Sequence, residues 1–426
     1  MNSDDMNRVA EIRRHFPNID RDISGKERIF LDNGAGSLVL REAADAEYFA
    51  RINASANVDG HYYESELNEK IIKEGREALA TLFNSPSSDN IFQGESASIL
   101  SFVLGIALRN HIGKDGNVVS TYNEHYSSVA PYMFLKKNGY IKDLRLAKID
   151  SETSEIDLEH VKQLVDRNTK LIVATAESNL TGTKTPVNEL KKLADENDAL
   201  LIIDGVHYAP QDLINVEKPA VDAFIVSMYK LFGPRGSFAY VSDNLLRQAD
   251  PYNIDPFTNR FKGSFMELGT RDQAIFNSSL EVVKFLSNLI ENHGGISRSG
   301  IEQSLTWNKS YLAELSRLIL EGDDETPGLK NIENVRILGI TDIKELHKRG
   351  STFSFNFKNI DDSKAERIYW EKFGITVVGG NHFNVAHDFL SRKSVLRVTF
   401  LMYNTKEEAR KFLKATEYIA SIERED

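Results

Sequence analysis

Two short apolar runs between Leu200 and Gly236, in LLIIDGVHYAPQDLINVEKPAVDAFIVSMYKLFGPRG, constrain this chain more than any other feature. Leu200 to Ile203 is a run of branched apolar residues, which predicts a strand buried on both faces, as in a parallel sheet. It stops abruptly at Asp204, with His207 three residues further on. The second run, Val221 to Val226, delivers Ser227, Tyr229 and Lys230 ahead of a Gly233-Pro234 turn. Ligands of open α/β sheets sit outside the carboxyl ends of the strands, so an acid, an imidazole and an amine are expected to share one crevice.

That combination suits pyridoxal 5'-phosphate (PLP): an amine forms a Schiff base with its aldehyde, and a carboxylate keeps its pyridine nitrogen protonated. Lys230 is then the Schiff-base lysine and Asp204 the partner of the ring nitrogen. Taken singly, Asp204 closes a strand in a turn and Lys230 is a solvated loop lysine. Their joint placement after two buried strands favours the cofactor.

A chain of 426 residues is too long for one small core, so two domains are expected. Its net charge of -11 argues against non-specific binding to nucleic acid or an anionic membrane, because a polyanion repels polyanions. It contains no cysteine, which excludes disulfides, thiolate metal sites and cysteine nucleophiles, and no metal is expected. The first residues, MNSDDMNRVAEIRRHF, are polar and acidic, without the apolar centre of a signal peptide. The apolar segment Ser98 to Leu108 is far too short to span a bilayer. A cytoplasmic enzyme is the expectation.

Arg28 to Leu31 predicts a short strand leading into Asp32, Asn33, Gly34, Ala35 and Gly36, either an active-site loop or a plain strand-to-helix turn. His61, with Tyr62 and Tyr63 before the predicted helix Glu64 to Phe83, either lines a substrate pocket or packs beneath a loop. At Phe92 to Leu100 a glycine and two serines open an apolar helix, Ile99 to His111. Its free amides, with Ser96 and Ser98, suit a phosphate, although serine also caps helices ordinarily. His125 follows the strand Val118 to Thr121, where an imidazole can stack on a pyridine ring and exchange protons. Lys170 to Ala176 is a further strand, ending in Glu177, Ser178 and Asn179. The Asn179 amide suits either the cofactor's phenolate oxygen or a turn.

In order along the chain, six pieces stand out: LDNGAGS (Leu31 to Ser37), ESNLTGT (Glu177 to Thr183), LLIIDGVHYAP (Leu200 to Pro210), SMYKLFGPRG (Ser227 to Gly236), MELGT (Met266 to Thr270) and LRVTFLMYNTKEEA (Leu396 to Ala409). Together they resemble the class V aminotransferase family of fold type I PLP enzymes, especially its cysteine desulfurase-like branch. The resemblance implies an α/β fold whose large domain, residues 19–292, holds a seven-stranded, mostly parallel sheet. A smaller α+β C-terminal domain, residues 293–426, would carry residues 1–18 packed on it, with the helix Ile301 to Leu320 bridging the two. By the same resemblance Lys230 carries the Schiff base, Asp204 meets the pyridine nitrogen, His207 lies near the phenolate oxygen and His125 stacks on the ring. Ser96 and the Ala97 amide, with Ser227 and Tyr229, match the phosphate cup. Arg397 matches the arginine that grips the substrate's α-carboxylate, where a planar guanidinium fixes which Cα bond stands perpendicular to the ring. His61 and Asn33 are further substrate-side candidates. Thr270 matches a residue that reaches the neighbouring subunit's phosphate, so a homodimer is implied.

One departure changes the expected chemistry. Cysteine desulfurases carry their persulfide-forming cysteine on the loop GGNHFNVA, Gly379 to Ala386, where Phe383 stands here. An enzyme-bound persulfide needs a thiol, so that mechanism is excluded. Proton removal from Cα by Lys230 leaves three outcomes: loss of a β-substituent, as in a carbon-sulfur lyase, transamination, or racemisation and epimerisation. A histidine at the His125 position is more typical of desulfurases and lyases, and no second arginine is clearly placed for a dicarboxylate side chain. Both favour the lyase, with an aminotransferase as the alternative. A catalytically silent homologue would lack Lys230, Asp204 or Arg397, and all three are present.

Overall fold

The computed structural model describes residues 3–250, 263–267, 269–291, 294–390 and 394–422. The expected boundary at Asn292 and Leu268 of the MELGT motif lie outside the described residues. A seven-stranded sheet is built from Ile91–Gly94 (β1), Asn117–Thr121 (β2), Asp143–Ala147 (β3), Thr169–Thr175 (β4), Leu200–Asp204 (β5), Ala223–Ser227 (β6) and Ser237–Val241 (β7). Its order is β1-β7-β6-β5-β4-β2-β3, and only β7 runs against its neighbours. The apolar runs lack alternation because both faces are covered. Leu200 and Ile202 join one core with Leu171 and Ile225, while Leu201 and Ile203 join the other with Ile172 and Val226.

Register then decides where polar groups emerge. Asp204 pairs beside Thr175 on β4 and Ile225 on β6, so the ends of the central strands form one polar rim. The apolar helix behind β1 begins at Ala97 rather than Ile99, because Ser96 keeps an extended backbone and its hydroxyl accepts from Ile99 N–H. It also breaks at Leu108, giving Ala97–Ala107 and a separate turn, Arg109–Ile112.

A second sheet is antiparallel and four-stranded: Val335–Leu338 (β8), Thr352–Phe357 (β9), Val378–Gly380 (β10) and Val395–Thr399 (β11), in the order β8-β9-β11-β10. Phe353, Phe355, Phe400 and Phe412 fill its core. The helix Arg298–Glu321 gives Ile301 and Leu305 to the large-sheet core and Leu312, Leu315 and Ile319 to the small-sheet core. The first helix, Ser3–Arg14, was expected on the small domain but meets both cores, through Val9 on one side and Ile12 on the other. Its Arg13 donates to Tyr403 O at 2.7 Å and pairs with Glu408 at 2.9 Å. Among the described residues no helix is long and apolar enough to cross a membrane.

The helices Tyr63–Phe83 and Gln273–Asn288 approach closely at Gly75, where an added Cβ would lie 2.7 Å from both the Cβ and the carbonyl oxygen of Phe276. Alanine is the better helix former by about 1 kcal/mol, but overfilling a packed contact costs about 1–3 kcal/mol. Gly75→Ala is therefore expected to lower the urea midpoint of unfolding despite its helix propensity. An unchanged or raised midpoint would show that the two helices separate without cost.

Candidate active site

A pocket opens at the carboxyl rim of the large sheet, lined by Ser96, Ala97, His125, Asn179, Asp204, His207, Ser227, Tyr229 and Lys230, with Ser98, Ser127, Thr175 and Val206 between them. These residues come from separate strand ends, and the sheet order sets their sequence across the pocket. Ser96 follows β1, Ser227 ends β6, Asp204 ends β5, Asn179 follows β4 and His125 follows β2. Lys230 sits in the short 3-10 turn Met228–Lys230 directly after β6.

Each charged group is held by its surroundings. The Asp204 carboxylate accepts from Ser128 Oγ at 2.6 Å and from Val206 N–H at 2.9 Å. Lys230 is buried, and burial together with the nearby Arg397 charge lowers its amine to about 8, against the pull of Asp204 and Asp32. His125 caps the helix Tyr126–Lys137: its Nδ1 accepts from Ser127 N–H at 3.2 Å and lies 2.7 Å from Ser127 Oγ. Burial lowers this imidazole to about 4, so it is neutral at physiological pH. His207 lies 2.7 Å from Thr352 Oγ1 through Nε2, and burial pushes it well below the ordinary histidine value.

Arg397 lies on β11, buried next to this pocket, and its Nη1 donates to the backbone oxygen of Asn179 at 2.9 Å. Asp32 Oδ1 stands 3.7 Å from its Nη2. Burial lowers the guanidinium to about 10, which leaves it charged, and burial raises the Asp32 carboxyl against the pull of Arg397 and Lys230. The loop can close this far because residue 34 is glycine. A Cβ there would lie 2.9 Å from Arg397 Cζ and 2.8 Å from Thr399 Oγ1.

Three expected site residues fall elsewhere within one chain. Asn33, expected at the substrate, is locked into the junction behind it. Its amide donates to Thr399 O at 2.7 Å and Asn404 Oδ1 at 3.1 Å, and its oxygen accepts from the Tyr403 hydroxyl, so no polar atom is left for a ligand. His61 is exposed ahead of the helix Tyr63–Phe83 and lines no part of the pocket. Thr270 is likewise exposed. The Asn179 amide lines the pocket, but it donates to His382 O at 2.8 Å and its oxygen accepts from Asn384 Nδ2 at 2.8 Å.

Asp32, Ser128 and Thr352 enter the site without having been picked out as its members. Ser128 had a faint signal, being one helical turn beyond His125. Asp32 belongs to the stretch that reads either as an active-site loop or as a turn, with no role of its own, and nothing in the sequence ties Thr352 to His207.

The donor set fits PLP. Ser96, Ser98, Ser227 and Tyr229 offer hydroxyls beside the first amides of the helix Ala97–Ala107, and among the described residues no carboxylate lines that end. The Lys230 amine and the Asp204 carboxylate complete the set needed by an aldehyde and a pyridine nitrogen.

A family model described as aminotransferase class-V matches residues 29–274 and 320–412. Relatives include a probable cysteine desulfurase from Borreliella burgdorferi, 27% identical over 420 residues and covering 95% of each chain. A cysteine desulfurase from Haloferax volcanii is 24% identical over 434 residues, covering 96% of each. Among solved structures, an apo cysteine desulfurase from Thermococcus onnurineus superposes with a TM-score of 0.82 at 21% identity, over 96% of this chain and 98% of that one. The cysteine desulfurase CsdA from Escherichia coli, as its S-sulfonic acid, gives 0.79 at 18% identity over the same shares, 96% and 98%. Both share the fold. Class V aminotransferases and cysteine desulfurases use PLP, bind amino-acid substrates and commonly act as dimers. The chain therefore belongs to the class V aminotransferase family, as a fold type I, PLP-dependent enzyme of cysteine desulfurase-like kin that contains no cysteine.

Proposed function

We propose that this enzyme is a lyase that removes the β-substituent of an amino acid, a carbon-sulfur lyase that forms no persulfide on its own chain. The observation that carries this reading is the arginine inventory at the pocket. Arg397 is charged and buried beside it, whereas the other buried arginine, Arg349, is committed to the backbone oxygens of Ile340, Gly350, Thr181 and Thr352. Among the described residues no second buried guanidinium is thus left to grip a side-chain carboxylate, and Arg235, 5.5 Å over the Tyr229 ring, is exposed to solvent, which disfavours an aspartate or glutamate transaminase.

PLP, when bound, supplies an aldehyde carbon for amine exchange and a pyridinium ring that withdraws electrons from Cα. Arg397 would hold the α-carboxylate by paired hydrogen bonds and displace Asp32 from its side. Asp204, already oriented by Ser128 and Val206 N–H, would keep the ring nitrogen protonated. Lys230 Nζ, uncharged above pH about 8, would take the proton from Cα and return it to the departing group. Neutral His125 would cover the ring without adding charge. In this reading residues 19–292 carry the cofactor, residues 293–426 supply Arg397, and Thr270 of a second copy reaches the phosphate end.

The deciding experiment is mass spectrometry of products from the PLP-loaded protein and a panel of amino acids, with and without a 2-oxo acid. A 2-oxo acid, ammonia and a released β-substituent should form without acceptor. Products only with acceptor would make the enzyme an aminotransferase, inversion at Cα a racemase or epimerase, and full biological function of Lys230→Ala a silent homologue.

The lowered amine gives a second expectation. In the cofactor-free protein, reductive methylation of Lys230, mapped by peptide mass spectrometry, should rise with pH to half its maximum near about 8. Arg397→Met removes a charge that lowers this amine and should move the midpoint to higher pH. Because the folded value lies below that of an ordinary lysine, this lysine also makes the cofactor-free fold more stable as pH rises from about 8 towards the ordinary lysine range. A midpoint near that of an ordinary lysine in both proteins would contradict the burial argument.

A further inference from the structure

By the resemblance, Phe383 takes the place of the desulfurases' sulfur-accepting thiol, and it is 68% exposed although it is a large apolar residue beside a buried site. Its ring centroid lies 6.1 Å from that of His125, tilted by 49°, and Tyr126 N–H donates to its backbone oxygen at 2.8 Å. The phenyl ring therefore lies beside His125, which lines the pocket.

The loop does not drift into this position. His382 and Phe383 both adopt left-handed backbone angles, with φ of 50° and 51°, a conformation that non-glycine residues take only when their surroundings impose it. Phe383 N–H donates to Asn381 Oδ1 at 3.0 Å, Asn179 donates to His382 O at 2.8 Å, and His382 Nε2 donates to Val395 O at 3.0 Å. Asn384 joins the same network through Asn123 O at 3.0 Å and Asn179 Oδ1 at 2.8 Å. Asparagine amides and an imidazole thus hold the backbone of a residue whose apolar ring is exposed beside His125. A ring held in water gains when another apolar surface covers it.

We propose that Phe383 determines specificity, selecting substrates whose side chain ends in an apolar or aromatic group that packs on its ring. This rests on the lyase reading above, in which that group is the sulfur substituent of an S-alkyl or S-aryl cysteine. The Cα–H and Cβ–S bonds break, the departing thiolate takes a proton, and water completes the products: one thiol, one pyruvate and one ammonium per substrate, with no external oxidant or reductant. Phenylalanine at this position cannot accept the sulfur, so the thiol leaves free.

The test uses PLP-loaded protein and two acids that lack an amine and so cannot react, 3-phenylpropionate and 3-hydroxypropionate, measured by calorimetry. Wild type should bind the phenyl acid at least about tenfold more tightly, as expected for covering one aromatic ring. Phe383→Ala should remove most of that ratio and Phe383→Leu should restore part of it, both at unchanged PLP content. The same ratio should move in kcat/KM for S-benzylcysteine against S-methylcysteine. A ratio equal in wild type and Phe383→Ala overturns the proposal, as does a Phe383→Ala protein that changes only its oligomeric state. If Arg397→Met abolishes binding of both acids while Phe383→Ala leaves the ratio intact, the carboxylate site stands and this proposal alone falls. If Arg397→Met binds both acids as wild type does, the site reading fails and takes the proposal with it.

Discussion

A strand covered on both faces has nowhere to place a polar side chain except at its end, and the site depends on that constraint. β4 from Leu171 onward, β5 and β6 are apolar along their lengths and polar at their carboxyl ends, and because they run parallel those ends meet. Asp204, Ser227 and Lys230 are brought within one pocket by this geometry alone. An antiparallel arrangement of the same strands would scatter them to opposite edges.

The pocket then manages its charges by burial. His125 and His207 are driven neutral, and the buried Glu124 and Glu177 carboxyls behind them are pushed up to about 8, so they too carry little charge at neutral pH. The charged groups that face one another are Lys230 and Arg397 on one side and Asp204 and Asp32 on the other. The two positive and two negative groups cancel, and the neutral imidazoles and carboxyls behind them add little charge of either sign.

The small sheet contributes through its register against the large one. Arg397 is positioned by pairing of β11 with Ser354 on β9 and Val378 on β10, then tied to Asn179 across the junction. Behind it, Asn33, Tyr403, Asn404 and Glu408 form a buried polar cluster that joins the loop after Phe30 to the C-terminal helix Lys406–Ala420. The same cluster takes up the first helix through Arg13. Displacement of either sheet would therefore move the guanidinium relative to the amine.

Much of this was legible in the chain. Unalternated apolar runs leading to Asp204 and Lys230 carried the buried strands, the cofactor type and most of the pocket lining, and the lack of cysteine in the sequence set the expectation of chemistry without an enzyme-bound persulfide. Those are local or compositional signals, and a strand's covering and its terminal residue can be read within a few positions. What only the tertiary structure decided is which polar atoms remain free. The sequence makes Asn33 a substrate candidate, but Thr399, 366 positions away, takes its amide, and Asp32, in a stretch that reads as an active-site loop or a turn, is brought beside Arg397. Whether a buried polar side chain is structural or available depends on partners supplied by distant segments, and no local pattern encodes those partners.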